Sequence, residues 1–510
     1  MKKTLTIFFH IIYQILNNMA LTSKKSKKKS KNKTNTKLDK KHILPSKANV
    51  IYLDNNGTTK LCKDAKKEMV HWLESRANPS SDSIISKKSK ELIEYAKNYI
   101  LKHCNASPDK YEVIFTSGAS ESNCFILRSV TEAYKYHTGK KPHIITSSTE
   151  HKSIIKCCKE LSDNKYANIT YIEPNAYGCI NSDLVKKAIT DNTALISIMM
   201  ANNEIGCINN VKKIGEIAHN KKIPFHTDAV QIFGKYKIHL GDNNIDAVSM
   251  SFHKLYGPMG IGLLIVSNDL VNGYGLKGQI SGSQQNKLRG GTENVPAIAG
   301  SIAAMKSTFI NRDSKNKKMY IFKKHIINEL KKVLSLGEYK SYFSDNVPSK
   351  NEFIVMGPAD KGYRKPTVLP NTLMLSFTKN NITDGTEFCN IKLKKKLDTK
   401  NIIVSIGSAC NTSDKNASHI LYAIKAPDTV KKGIVRISLS DNTTKSEIDK
   451  FIKELINGLD AQSVLESKTK TKNNTKTKNN TKTKTKTKQK QNSRKPQKPR
   501  NKPQKKNLKK

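Results

Sequence analysis

The residues with the clearest chemical potential lie at positions 251–254 (SFHK), where a lysine follows a hydroxyl and an imidazole at the end of an apolar run. Asp228 and Gln231 lie shortly upstream. Pyridoxal 5'-phosphate needs a lysine for its Schiff base, a carboxylate that keeps its pyridine nitrogen protonated and a donor for its ring oxygen. We therefore predict a pyridoxal phosphate site centred on Lys254, in which Asp228 and Gln231 contact the ring.

Residues 117–120 (SGAS) form a candidate phosphate site. They follow a predicted strand and open a predicted helix, so backbone N–H groups around Ala119 and Ser120 can approach an anion. The side chains of Ser120, Ser251 and His253 can add donors. Taken alone, the same residues fit an ordinary serine helix cap better than a phosphate site.

Two further side chains point to sulfur chemistry on an amino acid. Cys410 lies in a polar, Gly- and Ser-rich stretch and is predicted to be an accessible nucleophile. Arg436, on a predicted strand, can pair with a substrate carboxylate, although a surface arginine fits the same pattern. His151 can stack on a cofactor ring or move protons, or it can be merely structural.

These residues require an α/β framework. Seven apolar runs of strand length alternate with helix-like segments, which predicts a mostly parallel sheet covered by helices. Polar residues follow five of these strands, and ligands bind beyond the carboxyl ends of such sheets. The predicted strands lie near 112–116, 143–146, 169–172, 194–200, 223–227, 246–251 and 261–266, and helix-like segments include 120–136, 151–161 and 211–222.

Composition divides the 510 residues into four parts. We predict a large cofactor-binding domain over 51–310 and a smaller α+β domain over 311–460 that carries the Cys410 loop. Residues 1–50 and 461–510 are basic, low-complexity extensions predicted to be disordered. They could bind nucleic acid through its phosphates or simply be solvated. Residues 345–368 are interpreted as a loop insertion.

The cysteines and the apolar N-terminus bear on the compartment. Nine scattered cysteines without CxxC spacing indicate thiols in a reducing compartment and give no sign of a metal site. Residues 4–16 are apolar but too short to span a bilayer comfortably. We expect a cytoplasmic protein with no membrane association; a targeting leader over 1–18 is the alternative, and Met19 could be the true start.

Ordered motifs along the chain resemble the cysteine desulfurases of the NifS/IscS type, which are fold-type I pyridoxal phosphate enzymes. The similarity runs from Tyr52 to about Leu455. The motifs are YLDNNGTT (52–59), NPSS (78–81), IFTSGASESN (114–123), EH (150–151), NNEIG (202–206), FHTDAVQ (225–231), SFHKLYGPMGIG (251–262), RGGTEN (289–294), PNTLMLSF (370–377), GSAC (407–410) and VRISLS (435–440).

The resemblance implies an activity and a role for each matching residue. L-cysteine would become L-alanine, and its sulfur would pass as a persulfide to an acceptor protein for iron–sulfur assembly or thiolation. Thr292 would reach the phosphate of a neighbouring subunit, so a homodimer is implied. The implied roles are Lys254 for the Schiff base and proton transfer, Asp228 and Gln231 for the ring, His151 for stacking, Ser120, Ser251 and His253 for the phosphate, Asn203 and Arg436 for the substrate carboxylate, and Cys410 for attack on sulfur.

Departures from the family pattern leave these groups intact. Gly57 replaces the usual alanine, Ser120 replaces a threonine, and the segments 81–85 and 282–286 differ from the family. These differences concern dimer contacts and substrate entry. The alternatives are a selenocysteine lyase, another class V aminotransferase-like enzyme, and a non-catalytic relative that binds nucleic acid through its tails.

Overall fold

The computed structural model describes residues 50–343, 350–364, 366–380, 387–406 and 418–465. Cys410, residues 1–49 and residues 466–510 therefore lie outside the described residues. The strands are β1 Ile51–Tyr52, β2 Tyr111–Thr116, β3 His143–Ser147, β4 Asn168–Ile172, β5 Thr193–Ser197, β6 Phe225–Asp228, β7 Ala247–Ser251, β8 Gly262–Ser267, β9 Ser335–Leu336, β10 Glu352–Val355, β11 Thr372–Thr378, β12 Ile402–Ile403 and β13 Ile434–Ser438.

Helices surround and connect these strands. They are α1 Lys63–Leu73, α2 Ile84–His103, α3 Ala119–Thr138, α4 Lys152–Asp163, α5 Ser182–Lys187, α6 Val211–Asn220, α7 Val295–Phe309, α8 Arg312–Leu330, α9 Asn390–Thr399, α10 His419–Ala423, α11 Asp428–Lys432 and α12 Lys445–Asp460. Within the described part of the chain, no helix is both long enough and apolar enough to cross a membrane.

A seven-stranded sheet forms the larger part of the molecule, in the order β2-β8-β7-β6-β5-β3-β4. Strand β8 runs antiparallel to both neighbours, and all other pairs are parallel. Every residue of β7 and β8 is buried, as expected for central strands covered on both faces. The predicted α/β class and all seven predicted strands are confirmed, and the antiparallel β8 makes the sheet mixed.

A four-stranded sheet, in the order β13-β11-β10-β9, forms the second layer system. Strand β10 corrects the interpretation of residues 345–368 as a loop. Phe353 and Ile354 are fully buried there, and the strand pairs antiparallel with β11. The neighbouring prolines, glycines and charges hid a four-residue apolar run that the sheet buries.

The start of the described chain belongs to the smaller sheet region. Strand β1 pairs with β12, far along the chain, and Leu53 packs into the same apolar cluster as Leu375. The residues that follow, Asn55 to Thr59, then run toward the strand ends of the large sheet, where Thr59 donates its N–H to the His253 carbonyl. This crossing matters for function because it brings residues 54–57 beside Lys254.

Candidate active site

Lys254 ends a short 3-10 turn, Phe252–Lys254, directly after β7. Phe252 is fully buried and anchors the turn; its burial contributes about 2–3 kcal/mol. Gly257 must lack a side chain, because a Cβ there would lie 2.8 Å from the Phe252 Cβ. The Lys254 ammonium donates to the carbonyls of Asn56, at 2.7 Å, and Gly57.

The environment of Lys254 favours its neutral amine. Burial and then the charge of Arg436 lower the pKa of Lys254 to about 8, against the opposing effects of Asp54 and Asp228. A lysine must be neutral to attack a carbonyl, so this shift toward neutrality is what Schiff-base chemistry requires. The shift also shows that Lys254 senses the charges of both carboxylates.

Asp228 is the last residue of β6 and is almost completely buried. Its carboxylate accepts hydrogen bonds from Asn123 Nδ2 at 2.9 Å and from the Val230 N–H at 3.0 Å. Both donors are neutral, and no ion pair to Asp228 occurs among the described residues. A buried carboxylate with only neutral partners is a favourable site for a cation such as a protonated pyridine nitrogen.

Gln231 lies within the first turn after Asp228 and is buried. Its amide nitrogen donates to the Asn56 carbonyl at 3.2 Å, while its amide oxygen has no hydrogen-bond partner within the described chain. A buried amide atom without a partner is unusual and marks a place where a ligand atom can bind. The Asn56 carbonyl thus contacts both Gln231 and Lys254.

His151 caps the N-terminus of α4, with its Nδ1 accepting from the Ser153 N–H at 3.2 Å. His151 is exposed at this helix start, within the electrostatic reach of Lys254. Desolvation of the ring by neighbouring protein atoms lowers the pKa of His151, and the charges of Lys254 and His419 act in the same direction. Asp228 acts in the opposite direction. His151 is therefore neutral near pH 7, so it can accept a proton directly.

The start of α3 has the features of an anion site. Its N-cap is Gly118, which supplies no side-chain cap, and Ser120 is exposed beside the half-buried Ala119. Gly262 on β8 permits the close approach, since a Cβ there would lie 2.6 Å from the Gly118 Cα. The free N–H groups of this helix start are the ones that would contact a phosphate.

The other two predicted phosphate residues lie at the end of β7. Ser251 is buried, and His253 Nδ1 bonds to Thr58 Oγ1 at 3.1 Å. Burial and then the charge of Lys254 lower the pKa of His253 to about 4, so this imidazole is neutral at pH 7. A neutral histidine can still donate one hydrogen bond to an anion.

Thr292 is exposed and follows a loop that packs on the start of α3. In this loop Arg289 Nε donates to Glu121 Oε1 at 3.0 Å. Burial would raise the pKa of Glu121, but the hydrogen bonds from Arg289 and Ser117 lower it instead. The loop is thus tied to the candidate phosphate turn, and the contact of Thr292 with another subunit stays a prediction.

Arg436 on β13 reaches the same region from the small sheet. Its Nη1 donates to the Asn203 carbonyl at 3.1 Å, and its Nη2 pairs with Asp54 Oδ1 at 2.5 Å. The guanidinium is largely buried, and its Nε has no partner among the described residues. Asn56 also donates to the Asn203 carbonyl, at 3.0 Å, which joins the two sheets at this point.

The structure therefore brings most predicted residues to one edge of the large sheet. Hydrogen bonds or mutual charge effects connect Lys254, Asp228, His151, His253, Gln231, Asn203 and Arg436, whereas Cys410 lies outside the described residues. Sequence reasoning gave no role to Asn123, Asn56 or Asp54. The only signal for them is that each lies inside a family motif quoted above.

The residues present fit pyridoxal phosphate. Lys254, whose pKa is shifted toward neutrality, matches the cofactor's aldehyde, and the buried Asp228 carboxylate matches its pyridine nitrogen. The unpartnered Gln231 amide oxygen matches the ring substituents, and the start of α3, which has no side-chain cap, matches the phosphate. The buried Gln231 amide oxygen has no hydrogen-bond partner among the described residues, and the start of α3 has no side-chain cap, so both are open to ligand atoms.

Comparison with known proteins identifies close relatives of this arrangement. The chain matches the class-V aminotransferase family over residues 51–353. It is 34% identical over 411 residues to the cysteine desulfurase IscS of Clostridium botulinum, covering 79% of this chain and 93% of that protein. A NifS-like protein has a TM-score of 0.68 with 28% identity, covering 81% of this chain and 99% of that one. SspA, solved in complex with cysteine, has a TM-score of 0.61 with 32% identity, covering 77% of this chain and 100% of that one.

Proposed function

Because the chain belongs to the cysteine desulfurases, within the class-V aminotransferase family, we propose that it converts L-cysteine to L-alanine with pyridoxal phosphate as cofactor. The observation that carries the proposal is the placement of Lys254 and Asp228 at the ends of the neighbouring parallel strands β7 and β6, where an amine shifted toward neutrality lies within the electrostatic reach of a buried carboxylate. A substrate with an α-proton makes use of both protein groups, because Lys254 can remove the proton and Asp228 can stabilise the protonated ring nitrogen.

The protein holds the cofactor through the four features described above. When bound, pyridoxal phosphate supplies an electron sink for the substrate's α-carbon. Asp228 keeps the positive charge of the ring nitrogen in place, and the start of α3 with Ser120, Ser251 and His253 binds the phosphate. Lys254 would attach the cofactor through its amine and, once released, remove and return the proton at the substrate's α-carbon.

The substrate would be oriented by its carboxylate. Arg436 already has one nitrogen on Asp54 and another on the Asn203 carbonyl, while its buried Nε is free among the described residues. A carboxylate beside this guanidinium gains a charge-assisted hydrogen bond. His151, neutral and open to the recess, would stack on the ring and exchange protons with the substrate thiol.

We assign the sulfur transfer to Cys410. Its thiolate would attack the substrate sulfur, leaving a persulfide on the enzyme and alanine as the second product, and an acceptor thiol would then take the outer sulfur. We further propose a homodimer in which Thr292 serves the neighbouring subunit. The acceptor protein, a reducing cytoplasmic setting, and nucleic-acid binding by the tails are separate proposals that the activity does not depend on.

The decisive assay measures alanine and sulfide from L-cysteine with a reductant present. Purified enzyme should show the absorbance of a cofactor-lysine adduct and release both products in equal amounts. Cys410→Ala should lose sulfide release while keeping the absorbance, and Lys254→Ala should lose both. Cys62→Ala, which removes a half-buried thiol elsewhere, is the matched control and should behave as wild type. Full sulfide release by Cys410→Ala would show that another group attacks the sulfur.

A further inference from the structure

Helices α3 and α4 are joined side by side by contacts that bracket two cysteines. Near their N-termini Asn123 Nδ2 donates to Ser153 Oγ at 3.0 Å, and further along Arg128 pairs with both oxygens of Glu160 at 2.9 and 3.0 Å. Cys124 follows Asn123, and Cys157 lies one turn after Ser153. The helical repeat therefore places the two thiols opposite each other, between the two contacts.

Both cysteines are reduced, and they share one apolar cluster. The Cys124 Sγ lies 4.0 Å from the Ser153 carbonyl, one helical turn before Cys157, so the two thiols are neighbours across the helix pair. Cys157 is buried, whereas Cys124 is half-buried at the edge of the same apolar cluster. One thiol of the pair is thus open to a reagent, and the other is positioned behind it.

The surroundings favour charge on Cys124. The neighbouring Cys157 thiol, with help from the nearby Arg128, lowers the pKa of Cys124 to about 7 against the effect of burial. The Cys124 thiol and burial raise the pKa of Cys157. At pH 7 about half of the half-buried Cys124 is therefore thiolate, whereas the buried Cys157 keeps its proton.

We propose that Cys124 and Cys157 form a thiol modification site that reacts with small disulfides such as oxidised glutathione, independently of the desulfurase reaction. The Cys124 thiolate attacks one sulfur of the disulfide, forms a mixed disulfide and expels one thiolate. Cys157 then loses its proton to solvent and attacks the Cys124 sulfur, which expels the second thiolate. The two protein thiols are oxidised to a disulfide, and the reagent is reduced to two thiols.

A second thiol pair, Cys179 and Cys207, also combines a half-buried and a buried cysteine. Cys207 is fully buried, and its Sγ also donates to the Gly178 carbonyl at 3.0 Å. The hydrogen bond to Cys207 lowers the pKa of Cys179, so this pair shares the electrostatics of the first. It lacks the paired helices that hold the two sulfurs opposite each other, and it therefore serves as an internal control.

The test treats the full-length, cofactor-loaded enzyme with oxidised glutathione at pH 7, blocks the remaining thiols and maps peptides by mass spectrometry. Wild type should yield a peptide pair linked through Cys124 and Cys157. Cys157→Ala should instead retain one glutathione on Cys124, because the resolving thiol is gone. Cys124→Ser should show neither product at this site, and Cys179→Ser should react as wild type does.

A rate measurement adds an independent readout that does not need the disulfide. Burial raises the pKa of the half-buried Cys62, so iodoacetamide should label Cys124 about tenfold faster than Cys62 at pH 7, once the lower intrinsic nucleophilicity of the more acidic thiol is included. Equal labelling rates, a Cys157→Ala variant without bound glutathione, or a linkage that persists in Cys124→Ser would each overturn the proposal.

Discussion

Two carboxylates influence Lys254 from different regions of the molecule, and their surroundings differ. Within the described chain Asp228, at the end of a large-sheet strand, accepts hydrogen bonds from the neutral donors Asn123 and Val230 and has no cation paired with it. Asp54, in the segment that crosses from the small sheet, is paired with Arg436 at 2.5 Å.

This difference assigns the two carboxylates to different tasks. An uncompensated buried carboxylate destabilises the folded protein unless a cation or ligand binds to it, so Asp228 is prepared for a charged partner that the chain does not supply. Asp54 instead holds the Arg436 guanidinium in place, and its charge opposes the effect of Arg436 on the pKa of Lys254. The carboxylate on the cofactor side thus lacks a charged partner until a ligand binds, whereas the carboxylate on the substrate side already has one within the protein.

The largest effect is expected from Asp228→Asn. The amide keeps the shape but removes the charge that stabilises a protonated ring nitrogen, and losing such a preorganised electrostatic contact reduces turnover by about 10²–10³-fold. The measurement is steady-state alanine formation at saturating L-cysteine. The matched variant, Asp54→Asn, should lose no more than about tenfold. If the two variants lost equal activity, the proposed division between the carboxylates would be wrong.

Arg436→Gln tests the substrate side. A hydrogen bond to a charged group contributes about 1.5–3 kcal/mol, so we expect kcat/KM for L-cysteine to fall by about 10–150-fold. L-cysteine methyl ester, which lacks the carboxylate, provides the control, and its kcat/KM should change far less in the same variant. An equal loss for both substrates would assign Arg436 to holding Asp54 and the fold rather than to the substrate.

The pH dependence of cofactor uptake sharpens the comparison further. Only the neutral amine reacts, so the rate at which apoenzyme takes up pyridoxal phosphate should rise with pH and level off above about 8, the pKa of Lys254. Asp54→Asn should move this midpoint to lower pH, because it removes a negative charge that favours the ammonium form. Arg436→Gln should move it to higher pH.

Stopped-flow absorbance of the cofactor at a series of pH values would give these midpoints. Lys315→Gln, which changes a cation paired with Asp441 rather than with either carboxylate, should leave the midpoint close to that of wild type. Equal pH midpoints in wild type and all variants would mean that neither Asp54 nor Arg436 changes the pKa of Lys254.

Sequence reasoning reached the local features of this site and missed the long-range ones. The strand ends that carry Asp228 and Lys254 were predictable, because apolar runs and the residues that follow them are adjacent in the chain. The Asp54–Arg436 pair joins residues 382 positions apart, and no local pattern indicates it. The contact of Asn123 with Asp228 is equally non-local, and strand β10 was hidden by its polar flanks. Only the packed sheets bring these groups together.

Glu150 is a third carboxyl group at this edge and should give the smallest effect, on stability. It is fully buried, with no cation paired to it among the described residues; one oxygen accepts from Ser147 and the Met199 N–H, and burial raises its pKa to about 8.

The unfolded chain releases the Glu150 proton near pH 4.3, whereas the folded chain keeps it until about pH 8. Unfolding therefore releases a proton in between, and the free energy of unfolding falls as pH rises from about 5 to 8. Glu150→Gln is neutral in both states, so relative to wild type it should gain about 1–2 kcal/mol on going from pH 5.5 to 6.5, seen as a smaller drop in Tm. The exposed Glu91→Gln should show no such gain, and an equal pH response of Glu150→Gln and wild type would mean that Glu150 is already ionised in the folded protein.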